Sequence, residues 1–264
     1  MNPPAPRPGS GPDLTGRRVL VTGAGSGIGR ACALRLAAAG GKLLVLDRDA
    51  AAATAVADEV GGEALVVDLG DRAAVAALCA PGGPVSTVDV LVNNAGLQHV
   101  APVEEFPPDR FALILQVMVQ APFELARAAV PHMYEQGWGR LIHVSSVHGL
   151  RASAQKSAYV AAKHGLEGLS KVLALEGGGR GVTSNTVCPG YVRTPLVEGQ
   201  IAAQARAHGL PESEVVSQVM LSSSAIKRLI EPSEVAELAA YLCTDSASYA
   251  NGSAFVLDGG WTAR

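Results

Sequence analysis

Tyr159 and Lys163 lie four residues apart in an Ala- and Leu-rich segment of helical spacing, so both side chains leave one face and reach a common ligand. A tyrosine hydroxyl, with a pKa of about 10, is a poor base at neutral pH, and a nearby ammonium stabilises its phenolate and moves it toward the working range. The pair suits proton transfer at an alcohol. Taken alone, the same spacing also describes a solvated helix face.

A second constellation is the run Thr22-Gly23-Ala24-Gly25-Ser26-Gly27-Ile28-Gly29, set between an apolar stretch and an Ala-rich one. Strand, glycine turn and helix start follow in that order, so backbone N–H groups at Gly23, Ser26, Gly27, Ile28 and Gly29 can approach a pyrophosphate at the positive end of a helix. Asp47 ends the next apolar run, where a carboxylate accepts hydrogen bonds from both adenosine ribose hydroxyls and repels a 2′-phosphate, which favours NAD over NADP despite Arg48 next door. Asp68, followed by Leu69, ends a third run and can contact adenine. Either aspartate could instead cap a helix. Asn94, Ala95 and Gly96 follow a fourth run, at the edge where such sheets bind ligands.

The elements that would carry these residues alternate. Runs at 17–22, 42–47, 63–68, 89–94, 141–146, 181–188 and 253–259 read as buried strands. The segments 28–39, 50–59, 73–79, 108–135, 154–176 and 233–243 read as helices. This order predicts an α/β fold: one doubly wound parallel sheet of Rossmann type, a single domain over 14–264 after a flexible Pro- and Gly-rich tail over 1–13. The stretch 196–230 breaks the rhythm and reads as a substrate lid.

Composition narrows the class. Of 264 residues, 48% are hydrophobic and 17% charged, as expected of a packed globule, and the net charge of -3 offers no field for nucleic acid. Cys32, Cys79, Cys188 and Cys243 form no C-x-x-C pair, so no metal site is expected. The opening lacks a signal-peptide core and no uninterrupted apolar run suits a bilayer, which points to a cytoplasmic protein without a membrane partner.

Together, T-G-x-x-x-G-x-G at 22–29, N-N-A-G at 93–96, Ser146, Y-x-x-x-K at 159–163 and P-G at 189–190 resemble the short-chain dehydrogenase/reductase family in order and spacing. The resemblance implies that Ser146 holds the reacting oxygen, that Tyr159 is the acid/base and that Lys163 also binds the nicotinamide ribose. It further implies cofactor contacts from Pro189, Val192 and Thr194. One position departs: where the family has an asparagine on the long helix before the fifth strand, supporting a water on the proton path, this chain has Met118.

Gln98, His148, Lys156 and Gln200 form a narrower signature, two amides, an imidazole and an ammonium able to converge on a small carboxylate. The segments at 93–102, 146–149, 158–165 and 258–261 resemble bacterial 3-hydroxybutyrate dehydrogenases within the family. That likeness implies reversible oxidation of (R)-3-hydroxybutyrate to acetoacetate, with those four residues on the carboxylate and Trp261 enclosing the methyl end. Tyr191 stands where that group commonly has tryptophan. A homotetramer is implied by analogy alone. His99 and His143 are read as structural. The alternatives are reduction of a ketoacyl thioester or sugar, or a cofactor-binding regulator without turnover.

Overall fold

The structure, a computed structural model, describes residues 11–263. The expected tail therefore lies almost wholly outside the described residues; packing begins at Leu14, which is fully buried. Seven strands form one sheet: β1 (Arg18–Thr22), β2 (Lys42–Asp47), β3 (Glu63–Val66), β4 (Val90–Asn93), β5 (Gly139–Val144), β6 (Val182–Pro189) and β7 (Ala254–Leu257). Their order is β3-β2-β1-β4-β5-β6-β7, and every pairing is parallel. The order reverses beside β1, whose two neighbours are β2 and β4, and a crevice opens there at the carboxyl ends of the strands.

Helices α1 (Gly27–Ala38), α2 (Ala50–Val60) and α3 (Arg72–Leu78) join the first strands, and α4 (Pro108–Leu115) and α5 (Ala121–Gln136) precede β5. Then come α6 (Ser157–Gly177), α7 (Pro195–His208), α8 (Glu212–Val215) and α9 (Pro232–Leu242). Leu36, Val56 and Val235 of α1, α2 and α9 pack on one face of the sheet. Ile114, Leu125 and Leu173 of α4, α5 and α6 pack on the other.

The segment read as one helix over 108–135 contains a π turn, Gln116–Gln120, between α4 and α5. It lies directly ahead of Pro122, whose missing N–H removes the α-helical donor to the Met118 carbonyl. This run also corrects the sequence reading of hydropathy. Pro108–Gln136 is long and apolar enough to cross a membrane by length and composition, but half of its most apolar window is buried, with Ile114, Met118, Leu125 and Met133 inside the core. Helix α6 starts at Ser157 rather than 154, because Gln155 adopts a left-handed φ of 64°.

Candidate active site

The crevice is built by the ends of β1 and β4. Thr22 Oγ1 accepts from the Asn94 N–H at 2.9 Å and the Ala95 N–H at 3.0 Å, while Asn94 Nδ2 donates to the Thr22 and Gly23 carbonyls at 2.9 and 3.2 Å. A Cβ on Gly29 would lie 2.1 Å from the Gly23 oxygen, so only glycine lets the turn close onto α1. Asp47 Oδ2 accepts from the Gly25 N–H at 2.9 Å. The alternative of helix capping falls to other aspartates: Asp49 caps α2 and Asp71 caps α3.

Fifteen of the sequence-expected cofactor residues line one cleft of about 490 Å³: Gly23, Ser26, Gly27, Ile28, Asp47, Asp68, Leu69, Asn94, Ala95, Gly96, Tyr159, Lys163, Pro189, Val192 and Thr194. Gly29 sits beneath it as packing. The backbone cradle, with no room for side chains at its turn and a carboxylate at its far end, fits a dinucleotide. Val67, Leu113 and Val117 complete the walls. Sequence reading missed them because their apolar character marks core positions equally well.

Tyr159 and Lys163 project from α6 toward the end of β5. Ser146 opens a short 3-10 turn, Val147–Gly149, and its hydroxyl accepts from the His148 N–H at 3.1 Å. Burial pushes the Tyr159 hydroxyl up, and its hydrogen bond with Ser146 draws it partly back. The net direction is upward, against the lowering expected from the sequence. Lys163 Nζ lies 5.5 Å from the centre of the Tyr159 ring and donates to the Val144 carbonyl at 2.6 Å. Burial lowers that ammonium to about 8.

A smaller cavity of about 250 Å³ adjoins the cleft and shares Ser146 and Tyr159 with it. All six substrate candidates, Gln98, His148, Lys156, Tyr191, Gln200 and Trp261, line it. Gln200 Nε2 donates to Gln98 Oε1 at 3.3 Å, joining α7 to the turn after β4. His148 is held down to about 4, first by burial and then by the charge of Lys156, so its ring is neutral near pH 7. Its Nδ1 lies 3.4 Å from Ser146 Oγ and its Nε2 2.9 Å from Ser153 Oγ. Ser153 has no spacing signature and was invisible in the sequence. Trp261 stacks 5.6 Å from His148, placed by Asp258, which accepts from the Gly260 and Thr262 N–H groups at 2.9 and 2.7 Å. Lys156 Nζ lies 5.9 Å from the Tyr191 ring centre. Leu196, Val197, Met220 and Ser222 close the cavity from the stretch read as a lid.

Outside the two cavities, His143 is fully buried between Asn93 and Ser184, at 3.1 and 3.2 Å, and His99 packs edge-on against Phe106. The four cysteines are unpaired, and among the described residues no three His, Cys, Asp or Glu side chains are grouped to hold a metal.

The family model described as enoyl-(acyl carrier protein) reductase matches residues 23–262. The D-beta-hydroxybutyrate dehydrogenase of Cupriavidus necator is 41% identical over 257 residues, covering 95% of this chain and all of that one. The enzyme of the same name from Rhizobium meliloti is 43% identical over 94% of this chain and 99% of its own. A solved structure from Beutenbergia cavernae, assigned as an NAD(P)-dependent gluconate 5-dehydrogenase with NADP bound at low occupancy, superimposes with a TM-score of 0.85 at 35% identity, over 96% of this chain and 99% of that one. The motifs, the parallel sheet with its reversal beside β1 and these full-length likenesses agree: the chain belongs to the short-chain dehydrogenase/reductase family.

Proposed function

We propose that this oxidoreductase uses NAD to oxidise (R)-3-hydroxybutyrate reversibly to acetoacetate. The observation that carries the reading is the convergence of Gln98, His148, Lys156 and Gln200 on one small cavity that opens onto Ser146 and Tyr159. A carboxylate meets an ammonium and two amides there, and the cavity suits a four-carbon acid better than a carrier-bound thioester, which has no free carboxylate. The two relatives named for this substrate support the same choice.

A nicotinamide held in the cleft by Lys163, Pro189, Val192 and Thr194 would supply the hydride acceptor for C3, and the donor in the reverse direction. Ser146 and Tyr159 hold the substrate oxygen, and Tyr159 takes its proton. Lys163, on the same face of α6, supplies the positive charge that favours the phenolate and binds the nicotinamide ribose. Asp47 faces the adenosine end and sets the preference for NAD. Neutral His148 steadies Ser146 and turns its other nitrogen toward Ser153. The segment 196–230 closes over the substrate and brings Gln200 inward, excluding water. Its serines, Ser222 and Ser224, also line the cavity and favour a second reading, a hydroxylated sugar acid.

The chain is read further as a cytoplasmic homotetramer of one domain. Exposed Val256 on the edge strand β7, with Phe123 on α5 and Leu175 on α6, offers apolar surface for other copies. Light scattering on the purified protein measures the assembly.

The deciding experiment is NADH formation with (R)- and (S)-3-hydroxybutyrate and with gluconate, repeated with NADP and with Tyr159→Phe. Turnover confined to the (R) acid and NAD, and lost in the variant, is the expected result. Gluconate turnover without hydroxybutyrate turnover transfers the assignment to the second reading, and cofactor binding without turnover on any acid overturns both.

A further inference from the structure

Glu167 follows Lys163 by one turn of α6 and has no part in the chemistry described above. It is only 5% exposed, a costly place for a carboxylate whose oxygens lack partners. Both have them: Oε2 accepts from the Thr186 hydroxyl at 2.8 Å and Oε1 from the Cys188 thiol at 3.2 Å. Both partners carry a proton to donate, and a carboxylate oxygen accepts it. Burial pushes the Cys188 thiol up to about 12, so the sulfur keeps its proton and donates it. Gly149 makes room, since a Cβ there would come within 3.1 Å of Glu167 Oε1 and 2.6 Å of Ser145 Oγ.

Lys163, meanwhile, is a buried cation. Burial works against its charge, and Cys188 and Glu167 work for it. With the thiol protonated, Glu167 is the anion left to do so. The remaining groups around the pair bring no negative charge. His143 on β5 is neutral, held down to about 3 by burial and by Lys163 itself. Ser146 and His148 after β5 are neutral, as is Tyr191 after β6, and Lys156 at the start of α6 is a cation. Met118, from the π turn, is apolar and fully packed.

We propose that Glu167 is a positioning residue for the catalytic pair: anchored by Thr186 and Cys188, its carboxylate keeps the Lys163 ammonium charged beneath Tyr159, a support that Met118 does not provide. Without that carboxylate, Lys163 gives up its proton at lower pH, and Tyr159, deprived of its cation, ionises at higher pH.

The test has two arms. In the protein without cofactor or substrate, loss of the Lys163 proton is followed by NMR of lysine labelled at Cε, the Lys163 signal being the one missing from the same protein carrying Lys163→Arg. Glu167→Gln lowers the midpoint by about one pH unit from its value of about 8, Glu167→Asp restores most of it, and Thr186→Val, which removes one donor, lowers it by less. The kinetic arm rests on the proposed hydride transfer: Glu167→Gln lowers kcat for (R)-3-hydroxybutyrate at pH 7 and leaves KM within about twofold. Should Glu167→Gln fail to fold, Thr186→Val carries the test. An unmoved Lys163 midpoint in folded variants means that Glu167 only packs, and overturns the proposal. Absence of turnover in the parent protein counts against the substrate reading instead, and the lysine titration still decides this one.

Discussion

The Asp47 carboxylate and the Gly25 N–H meet at 2.9 Å, so the acid at the end of β2 also pins the glycine turn that follows β1. A second Asp47 oxygen accepts from the Asp49 N–H at 3.0 Å, which fixes the orientation of the carboxylate before any ligand arrives. Asp47→Asn removes the charge while keeping an acceptor. The ratio of kcat/KM with NAD to that with NADP is expected to fall by about tenfold to a hundredfold, an energy of roughly 1.4 kcal/mol per factor of ten. An unchanged ratio would place cofactor choice elsewhere in the cleft.

Lys156 is the one cation among the described residues that line the substrate cavity, and burial lowers its ammonium, as expected of a charge awaiting a partner. Lys156→Gln is expected to cost about 1.5–3 kcal/mol toward a carboxylate substrate, roughly tenfold to a hundredfold in kcat/KM. A neutral secondary alcohol should show little change. Equal losses on both substrates would mean that Lys156 shapes the cavity rather than reading the carboxylate.

Met118 is packed from the π turn toward Gly96, where a Cβ would lie 3.7 Å from its Cε. Met118→Asn restores the family's residue type but buries an amide, at a stability cost of about 1–3 kcal/mol if no partner is found. We expect kcat preserved or raised and the urea midpoint lowered. A large loss of kcat in a folded variant would show that the local packing has been rebuilt around methionine.

Gln155 holds a φ of 64°, a conformation that costs a residue with a Cβ roughly 1–2 kcal/mol. Its carbonyl accepts from the Ala101 N–H at 3.0 Å, tying the loop before Lys156 to the turn after β4. Gln155→Gly keeps that bond and relieves the backbone, and Tm should rise by about 2–4 °C per kcal/mol gained. A fall in Tm would mean that the glutamine side chain supports the loop.

His143 and His148 are held at about 3 and about 4 by burial, against 6.5 for a free imidazole. Their stabilities follow from the sign of that shift. Below pH 6.5 the unfolded chain binds these protons and the folded chain does not, so stability falls with pH by about 1.4 kcal/mol per unit for each group until the folded values are reached. Urea titrations at pH 7 and 5 should differ by about 4 kcal/mol from this source, and His143→Gln should remove about half the difference. An unchanged difference would put the acid sensitivity on other groups.

Much of this architecture is legible in the chain. Strand ends fall within about two residues of the apolar runs, because strands buried on both faces have continuous apolar sequence and turn residues at their limits. The site residues were findable because their chemistry is written in fixed local spacings, such as Tyr159 with Lys163. What stayed hidden is tertiary. Glu167, at helical spacing among polar neighbours, reads as a solvated position until Thr186 and Cys188 of β6 face it. Ser153 and the π turn beside Met118 are hidden for the same reason: each depends on a partner apart in the fold or on a lost backbone donor.

The reversal of strand order beside β1 has a consequence for how the molecule is made. Val19 and Val21 pair with Val90 and Val92, so the central strand lacks its second neighbour until the chain through β4 has been synthesised. Such distant pairing delays closure of the sheet and leaves an apolar edge open on the ribosome. Thr22 and Asn94, which lock the two strands together, also frame the crevice. That seam is therefore also the floor of the active site, and a dinucleotide present as it closes would favour the finished sheet over its open precursor.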